Sequence, residues 1–298
     1  MPTSLPSLTL PNLSARTAVI TGASAGIGLA TARALAAAGC HVVLAVRDVS
    51  KGEDAASRIA GSTEVRRLDL ADLSAVHSFV SQWGSRNIDL LINNAYAASP
   101  ALQHTADGFE LQFGTGHLGH FALTVLLLPH ITGRVVTVSS QAERSGRFIW
   151  NDLAWAHGGY TSARAYSRTK LAGLLFMSEL QRRLEAAGSS VRALAAHPGF
   201  IATDIYSEAG AATRLLVRTL AQTPERGALP VLHAALADVP GDSFIGPSRW
   251  ARMRGAPAPI PRSAQADNSD LAARLWAVSE ELTGVAWTAV MPTERHAR

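Results

Sequence analysis

The sequence is short of cysteine and of lysine, and each shortage narrows what the chain can be. A single cysteine, Cys40, excludes an intramolecular disulfide within 298 residues. It stands where a β-branched run begins, which reads as a small core residue in a reducing, cytoplasmic setting. Lysine occurs only as Lys51 and Lys170, so the net charge of +4 is carried almost wholly by arginine. Those arginines are scattered from Arg16 to Arg298. Their densest group, Arg249, Arg252, Arg254 and Arg262, has no interleaved aromatic beyond Trp250, which is not the pattern of a nucleic-acid surface. Long apolar runs are also scarce. The opening MPTSLPSLTLPNLS has no charged leader region, and Phe121 to Leu128 is too short to span a bilayer, so neither secretion nor a membrane anchor is expected. Charged residues make up 17% against 47% hydrophobic, enough apolar material for a large core and too little charge for disorder.

What the chain does have is alternation. From Arg16 onward, short β-branched runs (TAVIT, HVVLAV, LLIN, RVVTVSS, VRALAAH) exchange with longer Ala/Leu runs of helical period. The longest helices are expected over residues 163–187 and 269–282. The pattern predicts an α/β fold: a single-domain, Rossmann-type, doubly wound parallel sheet with helices on both faces. Residues 15–298 form that domain in this reading, behind a flexible tail at residues 1–14. Two irregular stretches, residues 141–162 and 199–215, follow strands and so start at the sheet's C-terminal edge, where open α/β sheets bind ligands. GAPAPIP at residues 255–261 reads as a stiff connection.

The chemistry-bearing residues collect at that edge. Gly22, Ser24, Gly26, Ile27 and Gly28 lie in the turn between the first strand and the first helix. Glycines there let backbone N–H groups approach a pyrophosphate and aim a helix N-terminus at its charge, although plain turn chemistry also uses glycine. Arg47 follows the second strand, where a carboxylate would accept ribose hydroxyls; a guanidinium suits a 2′-phosphate instead and selects NADP(H), unless it is simply a solvated strand end. Asp69, beside Leu70 after the third strand, is placed either for an adenine edge or for a helix N-cap. Tyr166 and Lys170 are four apart on one helix, so an ammonium can favour the phenolate of a residue whose ordinary pKa near 10 makes it a poor base. Ser139 and Ser140 end the fifth strand, each either a ligand for a substrate oxygen or a turn residue.

Together with LDLADL, LINNA, HLGHF, HPGFIAT and FIGPS, in this order over about residues 14–290, these motifs make the chain resemble the short-chain dehydrogenases/reductases, in particular the retinol-dehydrogenase-like branch. The resemblance implies that Tyr166 exchanges the proton, Lys170 lowers its pKa and holds the nicotinamide ribose, and Ser140 orients a carbonyl oxygen. It also implies that Asn94 and Ala95 line the cofactor, and that Pro198, Gly199, Ile201 and Thr203 meet its nicotinamide end. The expected activity is interconversion of a ketone or aldehyde and an alcohol on a small organic molecule. The rivals are a non-redox step on the same fold (elimination, epimerisation or cyclisation) or an NADP(H) sensor without turnover. No metal ligands are expected, and a homo-oligomer stays open.

Trp150 and Trp155 suggest an apolar or aromatic substrate if they face the pocket, and packing residues if they do not. Two positions depart from the family. LINNAG becomes LINNAY, which puts Tyr96 at the pocket floor. The family asparagine before HLGHF is Gly116; in the family it belongs to a proton relay behind the lysine. Glycine keeps the backbone carbonyl there, so Gly116→Asn is expected to change the rate by no more than about tenfold. His117 and His120 read as structural.

Overall fold

The computed structural model describes residues 10–201 and 222–288. Eight strands form one sheet: β1 (Thr17–Thr21), β2 (His41–Val46), β3 (Thr63–Arg67), β4 (Ile88–Asn93), β5 (Ile131–Val138), β6 (Arg192–Ala196), β7 (Phe244–Arg249) and β8 (Arg254–Pro259). Their order is β3-β2-β1-β4-β5-β6-β7-β8, so the chain reverses its winding between β1 and β4. All pairings are parallel except β7 with β8, which is antiparallel and brings Ile245 opposite Pro259 and Gly246 opposite Ala258. GAPAPIP is therefore an edge strand and not a connection. Its prolines hide a strand from any reading based on β-propensity.

Alternation along each strand feeds two cores. Val19, Val43, Leu91 and Val135 point to one face. There they pack with α3 (Leu73–Ser81), α4 (Leu111–His130), α5 (Ser162–Ala186) and α7 (Ser269–Thr283). Ile20, Leu44, Ile92 and Val136 point to the other, under α1 (Gly26–Ala37) and α6 (Pro224–Leu236). The short α2 (Val49–Ala56) adds Ala55 to that second core. Helices thus cover both faces, as the alternation requires.

Two expectations change. Leu13 is 2% exposed and its N–H reaches the Ala38 carbonyl at 2.8 Å, so residues 10–14 pack against the end of α1 and do not belong to a loose tail. The apolar run at 121–128 is part of the 20-residue α4, which is long and apolar enough to cross a membrane by length and composition. Of its most apolar window, 83% is buried within this fold.

The helix α4 begins on Glu110, whose carboxylate accepts from the Gln112 and Phe113 N–H groups at 2.8 and 3.0 Å. The same carboxylate meets Arg168 of α5 at 3.1 Å, with both side chains essentially excluded from water. Arg168 also lies over the rings of Phe113 and Trp155. Removing one partner of a buried pair strands the other charge. Arg168→Met is expected to lose about 3–5 kcal/mol in urea unfolding. A loss below about 1 kcal/mol, the range of exposed pairs, would show that the pair does not pin α4 to α5.

Candidate active site

The reversal between β1 and β4 opens a crevice at their C-terminal ends, the expected ligand position in such sheets. Thr21, the last residue of β1, is fully buried, and its Oγ1 accepts the N–H groups of Asn94 and Ala95 at 2.9 Å each. Asn94 returns its side-chain Nδ2 to the Thr21 carbonyl at 2.9 Å. The turn that follows is shaped by glycine. Gly22 has φ +67°, and a Cβ on it would stand 2.9 Å from Cα of Ala95. A Cβ on Gly28 would stand 2.5 Å from the Gly22 carbonyl oxygen. Gly26 has φ +56° and open space where its side chain would be. Ala25 at the N-cap of α1 offers no side-chain acceptor, so the first N–H groups of that helix are left for a ligand. A crevice with uncapped N–H groups and no Cβ atoms in the way fits a dinucleotide pyrophosphate.

Across the crevice, the two serines divide their tasks. Ser139 is buried and its Oγ donates to the Lys170 carbonyl at 2.7 Å, locking α5 onto β5. Ser140 stays partly exposed and accepts from the Ala142 N–H at 3.3 Å, so among the described residues it is the serine of the two whose hydroxyl is open to a ligand. Lys170 projects from α5 and donates to the Val138 carbonyl at 3.1 Å. Its Nζ lies 5.5 Å from the centroid of the Tyr166 ring, one turn away. Burial pulls the Lys170 pKa down to about 8.

Sequence reasoning leaves Tyr96 at the pocket floor; the structure sets its ring beside Lys170 and Tyr166. Its ring centroid is 4.7 Å from Lys170 Nζ and 5.3 Å from the Tyr166 ring, edge to face. Gly116 lies in a π-helical turn of α4, Gly114–Leu118. Its carbonyl is 3.3 Å from Nδ1 of His120, whose Nε2 is 2.8 Å from Thr21 Oγ1. Burial holds the His120 pKa down to about 4 and the ring neutral. The network then assigns the proton to Nδ1, donating to Gly116, with the Thr21 hydroxyl donating to Nε2. His117 is buried and bonded to Ser279 at 2.8 Å. Gln112, Thr21 and His120 are the members that motif reading missed, because each gains its meaning from a neighbour distant in the chain.

The remaining positions sort by place. Arg47 is exposed at the end of β2. Asp69 accepts from the Ala71 N–H at 3.0 Å, while the α3 cap is Asp72, so Asp69 is no helix cap. Leu70 is a core side chain against Gly119. Pro198 and Ile201 are buried, and Gly199 takes φ +85°. Thr203 and most of the segment 199–215 lie outside the described residues. Trp150 stacks on Phe148 at 4.7 Å with Arg274 over it. Trp155 is 4% exposed, with Arg164 and Arg168 against its ring. Both tryptophans pack the irregular segment and are not free pocket walls.

The short chain dehydrogenase family profile matches residues 16–214. Human retinol dehydrogenase 13 is 38% identical over 293 residues, covering 91% of this chain and 85% of its own. Mouse polyprenol dehydrogenase is 37% identical over 294 residues, covering 92% and 86%. The crystal structure of an uncharacterised protein from Mycobacterium paratuberculosis is 50% identical with a TM-score of 0.84, over 96% of this chain and all of that one.

Besides its expected small effect on rate, a side chain at position 116 meets a steric limit. A Cβ there would stand 2.6 Å from Thr169 Cγ2 and 3.2 Å from Tyr96 Cδ2. Gly116→Asn alone is expected to lose roughly 1–3 kcal/mol through overpacking. Combined with Tyr96→Gly it should show a favourable coupling above about 0.5 kcal/mol in a double-mutant cycle read by urea unfolding. Strict additivity would show that the two residues do not compete for the same space.

Proposed function

The chain belongs to the short chain dehydrogenases, in the branch of the retinol dehydrogenases, and we propose that it interconverts an alcohol and its aldehyde or ketone on an apolar small molecule, using NADP(H). The observation that carries this reading is the Lys170 ammonium held 5.5 Å from the Tyr166 ring, at the sheet edge that also bears Ser140 and the glycine turn. The Ser140 hydroxyl orients the substrate oxygen. Tyr166 gives that oxygen a proton during reduction and takes one during oxidation. Lys170 favours the phenolate through its charge, which a buried, low-dielectric position strengthens. The dinucleotide supplies or accepts the hydride when bound. Gly22, Gly26 and Gly28 would hold its pyrophosphate, Asn94 and Ala95 would line its path, and Asp69 would stand on the adenine side.

The preference for NADP(H) is supported by charge. Arg47 follows Val46, which pairs in register with Arg67, so two exposed arginines end adjacent strands where a 2′-phosphate would come. The substrate class is supported by relatives named for retinol and polyprenol, both alcohols on long apolar skeletons. A reducing, cytoplasmic setting is supported by Cys40 being a buried free thiol.

Two measurements test these assignments. Titrating both cofactors is expected to show tighter binding of NADP(H) than NAD(H) in wild type, and a loss of that preference in Arg47→Asp. Equal wild-type affinities would remove the role of Arg47. Turnover of a panel of apolar aldehydes and ketones, followed by NADPH absorbance, should fall by at least about a hundredfold in Tyr166→Phe while cofactor affinity stays nearly constant. Turnover retained in that variant would show that Tyr166 is not the proton donor.

A further inference from the structure

The Tyr96 ring shares with Thr169 the space that a side chain at position 116 would enter, since a Cβ on Gly116 would stand 2.6 Å from Thr169 Cγ2 and 3.2 and 3.4 Å from Cδ2 and Cε2 of that ring. The ring is fixed at its far end. Its hydroxyl donates to Gln112 Oε1. Gln112 Nε2 is bonded in turn to the Tyr160 hydroxyl at 3.0 Å and to Ser162 Oγ at 3.2 Å. The Tyr160 hydroxyl closes the chain on the Ser99 carbonyl at 2.9 Å. Burial pushes the Tyr96 phenol far above its ordinary pKa, so it stays neutral and takes no part as an acid or base.

Lys170 is a buried cation with little to compensate it. Its hydrogen bond goes to the Val138 carbonyl, and no carboxylate pairs with it among the described residues. The other groups facing it are His120 from α4 and His197 from the end of β6, each held neutral by burial with a pKa of about 4, and the rings of Tyr166 and Tyr96. Of the two rings, Tyr96 is the nearer, at 4.7 Å against 5.5 Å. An aromatic face attracts an ammonium most strongly where water is excluded.

We propose that Tyr96 is a positioning residue for Lys170: seated in the space left by Gly116, its ring face keeps the ammonium charged and aimed at Tyr166. The proposal rests on the reading of Tyr166 and Lys170 as the proton-exchanging pair. It makes Tyr96 and Gly116 one joint feature, in which an aromatic face replaces a polar side chain behind the lysine.

A chain with two lysines allows a direct test. In protein labelled with [ε-13C]lysine, NMR resolves an exposed Lys51 and a buried Lys170, whose titration can be followed without substrate. Replacing Tyr96 by leucine, or by methionine should the leucine variant fold poorly, is expected to lower the Lys170 midpoint by about one pH unit, a tenfold change in its protonation equilibrium. Tyr96→Phe keeps the ring and should leave the midpoint within about 0.3 units of wild type. In alcohol oxidation, the rising limb of kcat/KM should move to higher pH in the leucine or methionine variant and not in Tyr96→Phe, because a less charged lysine stabilises the phenolate less. An unmoved Lys170 midpoint without the ring, or equal shifts with phenylalanine and leucine, would overturn the proposal. Absence of turnover in wild type, with the midpoint shift on ring removal intact, would instead count against the redox reading while leaving the hold of Tyr96 on the Lys170 ammonium standing.

Discussion

One hydroxyl ties the site together. Thr21 Oγ1 accepts two N–H groups from the start of the segment after β4 and donates its O–H to Nε2 of His120, whose Nδ1–H donates to the Gly116 carbonyl in α4. β1, β4 and α4 are thereby fixed to one another at the point where the winding of the sheet reverses. The hydroxyl is fully buried, so each of these bonds forms in a low-dielectric environment where an unmet partner would be costly. The Gly turn is held from the same node, because the side chain of Asn94 reaches back to the Thr21 carbonyl.

The polar groups beyond that node are arranged so that one cation survives burial. His117, His120 and His197 are all driven neutral by burial, which leaves Lys170 without a competing positive charge among these rings. Arg168, the other fully buried base nearby, is already bound to Glu110. The neighbourhood therefore separates two settings for a buried charge: one pair braces the helices, and one ammonium, without a carboxylate partner among the described residues, lies beside two tyrosine rings.

Much of this was legible in the sequence, and for identifiable reasons. β1, β2, β4 and β5 follow apolar runs rich in β-branched residues, and α5 follows its helical period. The glycine turn, Tyr166 and Lys170 are local in sequence, so their spacing conveys their geometry. What stayed hidden depends on contacts between distant residues or on broken local rules. α4 carries a π turn at GTGHL near its start, where glycine lowers helix propensity. α6 carries Pro230 in its interior, and β8 is written in arginine, glycine and proline. The role of Tyr96 needs Gln112, Gly116 and Lys170 to be brought together, and no single motif contains them.

The proline-rich β8 has a consequence for how the sheet ends. The Ile260 N–H points inward to the Phe244 carbonyl at 2.7 Å. By antiparallel alternation Ala258 then also faces β7, whereas Pro257 and Pro259 occupy the outward positions. Those are the two places where the edge would otherwise present free donors to an approaching strand. Rings stand there instead, so a strand approaching this edge finds two fewer backbone donors to pair with.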